Sequence, residues 1–437
     1  MCMPRFYKTI FFLLISAAYS IKAGEIVLTP YERSGIYRIG ERVGWTLRQE
    51  PPVPDLIYTL KRNGVEVVAS GSLSWHDGEA FVAVIADVPS MLRLEVSPGA
   101  GGELVAQAGA AIAPEKLAGA PAKPADFDAF WATKISEIQA VPSDPVLTPV
   151  ADVREEVDYA TLTLANIRGA RVHGQIAHPA RPGQFPALLI LQWAGGPYPL
   201  QKSWVTDRAA EGWLALNIMP HDLPCDMPKE FYESLPRLLK DYQCIGDDDR
   251  NRSYFLAMFL GAWRAADYLS TRSDWNGQTL VVLGPSMGGM QAFAAAALHP
   301  RVTHLIAHTP AGCDSLASLN GRAAGYPNWN AGDARVEATA PYFDPVNFAE
   351  RIHARALVSM GFIDTVTPAA GIWMAFNKLA GIKEAVPMID TPHGHQAKPG
   401  QEKAYNDRRD AWLAALLSGR EPAVLPSVVL PRADAGQ

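Results

Sequence analysis

Three segments of the chain carry residue types that could do nucleophilic chemistry together. The first is Gly284-Pro285-Ser286-Met287-Gly288. It follows the apolar run Leu280–Leu283 and opens the alanine-rich stretch Met287–Leu298. A serine on a sharp turn between a strand and a helix presents its hydroxyl outward. The helix N-terminus behind it offers backbone N–H groups and a favourable dipole to a developing oxyanion, and the N–H of Met287 is one such donor. Flanking glycines suit this turn, because side chains there would collide with the neighbouring strand and helix. A serine in a purely structural glycine-rich turn is the bland alternative.

A serine nucleophile needs a base, and the base needs an orienting group. Asp364 stands in "GFIDTVTP", directly after the apolar run "ALVSM". The next run, "VPMID", ends in "TPHGHQ", which holds His393 and His395. In its strand–turn–helix context, Gly-x-Ser-x-Gly is the nucleophile elbow of α/β-hydrolases, a fold whose serine, acid and histidine follow in this order. Asp364 is the acid of this reading. Asp390, its rival, lies on the histidine's own strand end and reaches behind the ring poorly. Spacing does not choose between His393 and His395. The two could also ligate a metal, but no third ligand stands at helpful spacing and no H-E-x-x-H occurs, so neither metal nor cofactor is expected. His304 and His308, on an apolar strand, read as core or rim residues. A second oxyanion donor is expected from "LLILQWAGGPYP". There the backbone N–H groups of Ala194 or Gly195 can approach substrate closely, and Trp193 reads equally as pocket lining or core.

These groups require a scaffold. After Phe127 apolar runs alternate with helical stretches. The predicted strands are Ala187–Gln192, Trp213–Ile218, Leu280–Leu283, His304–Ala307, Ala356–Met360 and Val386–Ile389, with helices at Tyr254–Leu269, Met287–Leu298 and Gly371–Leu379. This alternation predicts an α/β fold with a mostly parallel sheet covered on both faces and its site at the strand carboxyl ends. Residues 24–113 differ. Short alternating runs such as "GWTLRQE" and "LRLEVSPG" are punctuated by turns, the pattern of a small all-β, immunoglobulin-like sandwich. Trp45 and Trp75 there are candidates for glycan contact, with core packing favoured. Residues 114–126, rich in Ala and Pro, read as a linker, 127–420 as the catalytic domain, and 421–437 as a loose tail. The linker predicts separate folding and an N-terminal part dispensable for small esters.

The first 23 residues read as a signal peptide: Arg5 and Lys8 precede an apolar stretch, Ile10–Ala18, too short to span a bilayer. A secreted or periplasmic protein without a stable membrane span is expected, an uncleaved anchor being the alternative. Cys225 and Cys244 could pair in such a compartment or stay as thiols like Cys313. The 437 residues carry 39 basic and 45 acidic side chains, net −6, with no basic block, which argues against nucleic acid.

Several ordered segments are similar to the acetyl xylan esterase and cephalosporin-C deacetylase family, carbohydrate esterase family seven. They are "PADFDAFWATKISEI", "GARVHGQIAHPARPGQFPALLILQWAGG", the region "FLGAWRAADYLSTRSDWNGQTLVVLGPSMGGMQAFAAAALHPRV" and "YFDPVNFAERIHARALVSMGFIDTVTPAAG". The resemblance spans roughly residues 124–419. It implies a serine esterase removing acetyl groups from sugars, with Ser286 as nucleophile and Asp364 as acid. The family ends its last strand in Gly-His-Glu, which matches Gly394-His395-Gln396 and so implies His395 as base. The family's oxyanion tyrosine falls near Gly195. Pro220-His221-Asp222 stands where the family has Arg-Gly-Gln, a segment linked to its ring-shaped hexamer; an oligomer stays open. The expected substrate is an acetylated carbohydrate or small ester. The alternatives are a broad carboxylesterase, a dienelactone-hydrolase relative, a peptidase, or a glycan-binding protein with an inactive hydrolase domain.

Overall fold

Leu280, Val281 and Val282 are all fully buried, yet they face two different cores. Leu280 and Val282 pack with Leu189, Leu216 and Ala265. Val281 packs on the other side with Leu188, Ala215 and Trp412. This is why the run is apolar without alternation: its sheet is covered on both faces. The computed structural model of the protein describes residues 25–51, 55–99, 101–119, 121–151, 153–236 and 239–425. Among these residues the central sheet has nine strands. From one edge they are Lys383–Met388, Arg355–Gly361, His304–His308, Trp275–Pro285, Phe185–Ile190, Leu214–Ile218, Arg171–Pro179, Val157–Ala165 and Val146–Pro149. The strands from Lys383–Met388 to Leu214–Ile218 run parallel, and the remaining three pair antiparallel. Helices Tyr254–Thr271, Met287–Leu298 and Ala369–Lys378 cover one face, and Ser203–Glu211 and Lys403–Leu417 the other. This is the α/β-hydrolase arrangement. The six predicted strands all form, with shifted ends.

The N-terminal part forms a three-stranded sheet, Val27–Pro30, Arg42–Arg48 and Glu79–Ile85, and a five-stranded one, Ile36–Tyr37, Ala106–Ile112, Ser90–Pro98, Leu56–Arg62 and Glu66–Ser72. They enclose a core of Val43, Trp45, Leu47, Leu60, Leu94 and Ala110. Trp45 is fully buried and Trp75 packs half-buried against that core, so core packing accounts for both.

The stretch expected to act as a free linker is docked. Leu117 joins the large hydrolase core, and Asn377 Nδ2 donates to the carbonyls of Pro114 and Leu117 at 2.9 and 3.3 Å. The first residues of the expected loose tail are also held: Glu421 pairs with Arg355 at 2.9 Å, and the Leu425 N–H donates to Glu384 at 3.3 Å. The expected signal peptide and residues 426–437 lie outside the described residues. Cys225, Cys244 and Cys313 are free thiols. Among the described residues no helix is long and apolar enough to cross a membrane.

Candidate active site

Ser286 sits at the junction of Trp275–Pro285 and Met287–Leu298 with φ 53° and ψ −119°, a strained conformation for a residue with a side chain. The turn is that tight because Gly284 and Gly288 touch. A Cβ on Gly284 would strike the Gly288 carbonyl, and one on Gly288 would strike the carbonyl of Leu191. The second contact brings the Leu191–Gly196 loop against the start of the helix, and Gln291 Nε2 reinforces it by donating to the Gln192 carbonyl at 3.2 Å. The Ser286 N–H donates to the His308 carbonyl at 2.8 Å, which locks the turn to the adjacent strand.

Asp364 lies buried after strand Arg355–Gly361. Its Oδ1 accepts the N–H groups of Val366 and Thr367 at 2.8 Å, and its Oδ2 accepts Thr367 Oγ1 at 2.8 Å. The remaining partner is His393, whose Nδ1 lies 2.7 Å from Oδ2. A carboxylate only accepts, so Nδ1 carries the proton and Nε2 keeps its lone pair. That nitrogen faces the Ser286 hydroxyl at 3.0 Å. The two loops meet because Gly361 has no side chain: a Cβ there would strike the Thr391 carbonyl.

The histidine between serine and acid is therefore His393, and the expectation of His395 is corrected. His393 lies just before a short turn, Gly394–Gln396, with extended backbone (φ −63°, ψ 142°). The turn carries His395 to the exposed side, its ring 5.5 Å from that of His393. The Gly-His match aligned the sequence; the turn decided which ring faces inward. Asp390 stays outside this arrangement, its carbonyl accepting Gln401 Nε2 at 2.5 Å.

A cavity of about 570 Å³ opens over Ser286 and His393. Trp193, Ala194 and Gly195 form one wall. Among the described residues the N–H groups of Met287, Ala194 and Gly195 donate to no protein acceptor, so all three are free to serve an oxyanion. Trp193 is 41% exposed, stacked on Tyr198 and edge-on to Trp204. Tyr198 supports the loop from behind, donating to Gln192 Oε1 or the Trp193 carbonyl at 3.1 and 3.0 Å. Met287 contributes backbone only: its side chain is fully buried, with Sδ 2.8 Å from the Tyr242 hydroxyl.

The lining also contains residues that sequence reading did not single out. Tyr242 and Tyr326 share a hydrogen bond of 2.7 Å beside the serine. Burial pushes the Tyr242 phenol up to about 12 and that of Tyr326 well above its usual range, so both stay neutral. Tyr242 opens a one-turn helix, Tyr242–Cys244, and Tyr326 lies in a turn; neither segment is long enough to carry periodicity, and no local signal marks them. His308, expected at the core or rim, lines the same cavity. Its Nε2 donates to Glu402 at 3.0 Å and its Nδ1 accepts Ser359 Oγ at 2.6 Å. The hydrogen bond from His308 holds the Glu402 carboxyl below its usual range. No group of three metal-ligating side chains occurs among the described residues.

A sequence profile described as acetyl xylan esterase matches residues 115–408. The chain is 27% identical over 407 residues to the acetyl esterase Axe7A of Xylanibacter ruminicola, covering 88% of this chain and 92% of that one. Among solved structures, the acetyl xylan esterase from Paenibacillus sp. R4 superposes with a TM-score of 0.58 at 22% identity, covering 68% of this chain and 98% of its own. Acetyl xylan esterase 1 from Thermoanaerobacterium sp. JW/SL YS485 gives 0.57 at 21%, covering 69% and 97%. Both share the fold; the similarity to Axe7A extends over more of this chain.

Proposed function

The chain belongs to the acetyl xylan esterase family and is a carboxylic ester hydrolase, and from that premise we propose that it is an exported esterase removing acetyl groups from acetylated oligo- or polysaccharides. The observation that carries this reading is the hydrogen-bonded chain from Asp364 through His393 to Ser286, next to three unused backbone N–H groups.

In this mechanism Ser286 Oγ attacks the acetyl carbonyl carbon while His393 Nε2 takes its proton. The oxyanion is held by the N–H of Met287 and by that of Ala194 or Gly195. Each such donor contributes about 3 kcal/mol of transition-state stabilisation. His393 returns the proton to the departing sugar oxygen, and the C–O bond breaks to leave an acetyl-enzyme. Water, deprotonated by His393, then attacks the acyl carbon; acetate leaves and Ser286 recovers its proton. Asp364 keeps the imidazole in the productive tautomer and stabilises it when charged. The chain's own residues supply every step, and no metal or cofactor is required.

The Tyr242–Tyr326 pair lines the cavity together with Ser286 and supports a preference for small acyl groups. A basic, apolar leader supports export, to be checked by N-terminal sequencing of protein recovered outside the cytoplasm. The function itself is tested with purified protein on p-nitrophenyl acetate and acetylated xylo-oligosaccharides. Acetate release from both, abolished in Ser286→Ala, is expected; no release from either by the folded wild type overturns the proposal.

A further inference from the structure

The strand Ser90–Pro98 is buried on both faces, and so is most of Ala106–Ile112. Side chains alternate along a strand. Leu92, Leu94, Ala108 and Ala110 fill the sandwich core. Met91 and Ala111, paired across the two strands, belong to the hydrolase core instead, together with Phe362. Two residues before Ala111 on the same face, paired with Arg93, lies Gly109, where a Cβ would run into the Cβ of Phe362 and meet its carbonyl oxygen at 2.8 Å. The Gly109 N–H donates to the Ile389 carbonyl at 2.8 Å. Gly35 closes on the same place, since a Cβ there would meet Ile389 Cγ2 at 2.5 Å.

Phe362 precedes Asp364 by two residues, and Ile389 precedes His393 by four. The sandwich therefore grips the roots of both loops, and Phe362 itself donates its N–H to the Met388 carbonyl at 2.9 Å, joining one root to the other. The elbow and the Leu191–Gly196 loop are held within the hydrolase itself.

We propose that the N-terminal sandwich is a positioning element of the active site, setting Asp364 and His393 against Ser286 through its contacts with Phe362 and Ile389. This rests on the catalytic reading of that triad. It replaces the expectation of a dispensable N-terminal part: the sandwich acts on the acid and base, and its removal lowers turnover even on small esters.

The test uses the full chain. Gly109→Ala and Gly109→Val push residue 362 away by increasing amounts. Gly35→Ala does the same to Ile389 while adding backbone strain at a φ of 66°, and adding Ile389→Ala makes room again without altering that strain. With p-nitrophenyl acetate, kcat should fall in that graded order, by roughly 10- to 100-fold for Gly109→Val, as expected for a catalytic group displaced by about 1 Å, while KM stays near wild type. Inactivation of Ser286 by a sulfonyl fluoride, which also needs the base, should slow in parallel. Amide exchange should rise at 361–367 and 388–395 and stay unchanged at 284–290. Gly35→Ala/Ile389→Ala should recover kcat relative to Gly35→Ala. Unchanged kcat in a folded Gly109→Val protein overturns the proposal. So does a loss accompanied by uniformly faster exchange, the elbow included. Should Gly109→Val fail to fold, the Gly109→Ala and Gly35→Ala pair decides by the same readouts. Wild-type protein without Ser286-dependent hydrolysis would sink the triad reading itself, a separate result.

Discussion

The serine side and the acid–base side of the proposed site are built differently. Ser286, the N–H of Met287 and both glycines lie within five consecutive residues, and their geometry follows from one strand–turn–helix junction. Asp364 and His393 lie 29 residues apart on two loops, and His393 is 107 residues from the serine it faces. The first side is held by short-range sterics: the positive φ of Ser286 and the mutual contact of Gly284 and Gly288. The second is held by contacts that cross the molecule, including the Gly109 hydrogen bond to Ile389 from the sandwich. Short-range geometry tolerates little variation in sequence, and its further support, from His308 and Leu191, comes from within the same sheet. Long-range geometry can be shifted by changes far from the chemistry.

The largest expected effect tests both sides at once. Ser286→Ala and His393→Ala should each lower kcat for p-nitrophenyl acetate by about 10⁴-fold or more, since neither acts without the other. The double variant should be no worse than the worse single one. His395→Ala should lose far less. Equal losses at both histidines, measured on folded protein, would break the assignment of His393.

Acyl-chain length probes the place where the two sides meet. Two extra methylenes against the Tyr242–Tyr326 wall should lower kcat/KM by about two orders of magnitude. Tyr326→Ala should flatten the acetyl, butyryl, octanoyl series. A wild-type series that is already flat would show that the wall does not select the acyl group.

A stability measurement serves as the contrast, because His221 lies outside the cavity over Ser286. His221 is buried, its Nδ1 3.0 Å from the Tyr254 hydroxyl, and burial lowers its pKa to about 4. In the unfolded chain the ring titrates near 6.5, so between these values the unfolded state binds more protons and stability falls as pH drops. The loss from this group approaches on the order of 3 kcal/mol by pH 4. Urea unfolding of wild type and His221→Gln at pH 7 and pH 5 should show the variant losing less between the two. Parallel losses would exclude His221 as the cause.

Ethylenediaminetetraacetate should leave activity unchanged, the smallest effect of the set. Inhibition reversed by added divalent metal would call for a ligand set beyond the triad.

The sequence by itself determined the strand–turn–helix junction around Ser286 and the mostly parallel character of the sheet. Leu280–Leu283 is apolar on both faces, Gly284 and Gly288 are the residues a nucleophile elbow demands, and Asp364 follows directly on a buried strand. Each of these signals lies within a few residues, where backbone sterics and burial act. The choice of His393 lay beyond that reach. It depends on how the turn Gly394–Gln396 leaves the sheet, and two histidines separated by one glycine carry the same local signal. Tyr242 and Tyr326 were equally hidden, being brought together from 84 residues apart, one from a single helical turn and one from a loop. Only the tertiary structure decided that the sandwich docks. Nothing local in the sequence marks Met91, Gly109 and Ala111, because a surface that meets another part of the same chain differs from a solvent-facing one only by what lies opposite. That partner, Phe362 and Ile389, is more than 250 residues away in sequence, and strand periodicity does not report a neighbour at that distance.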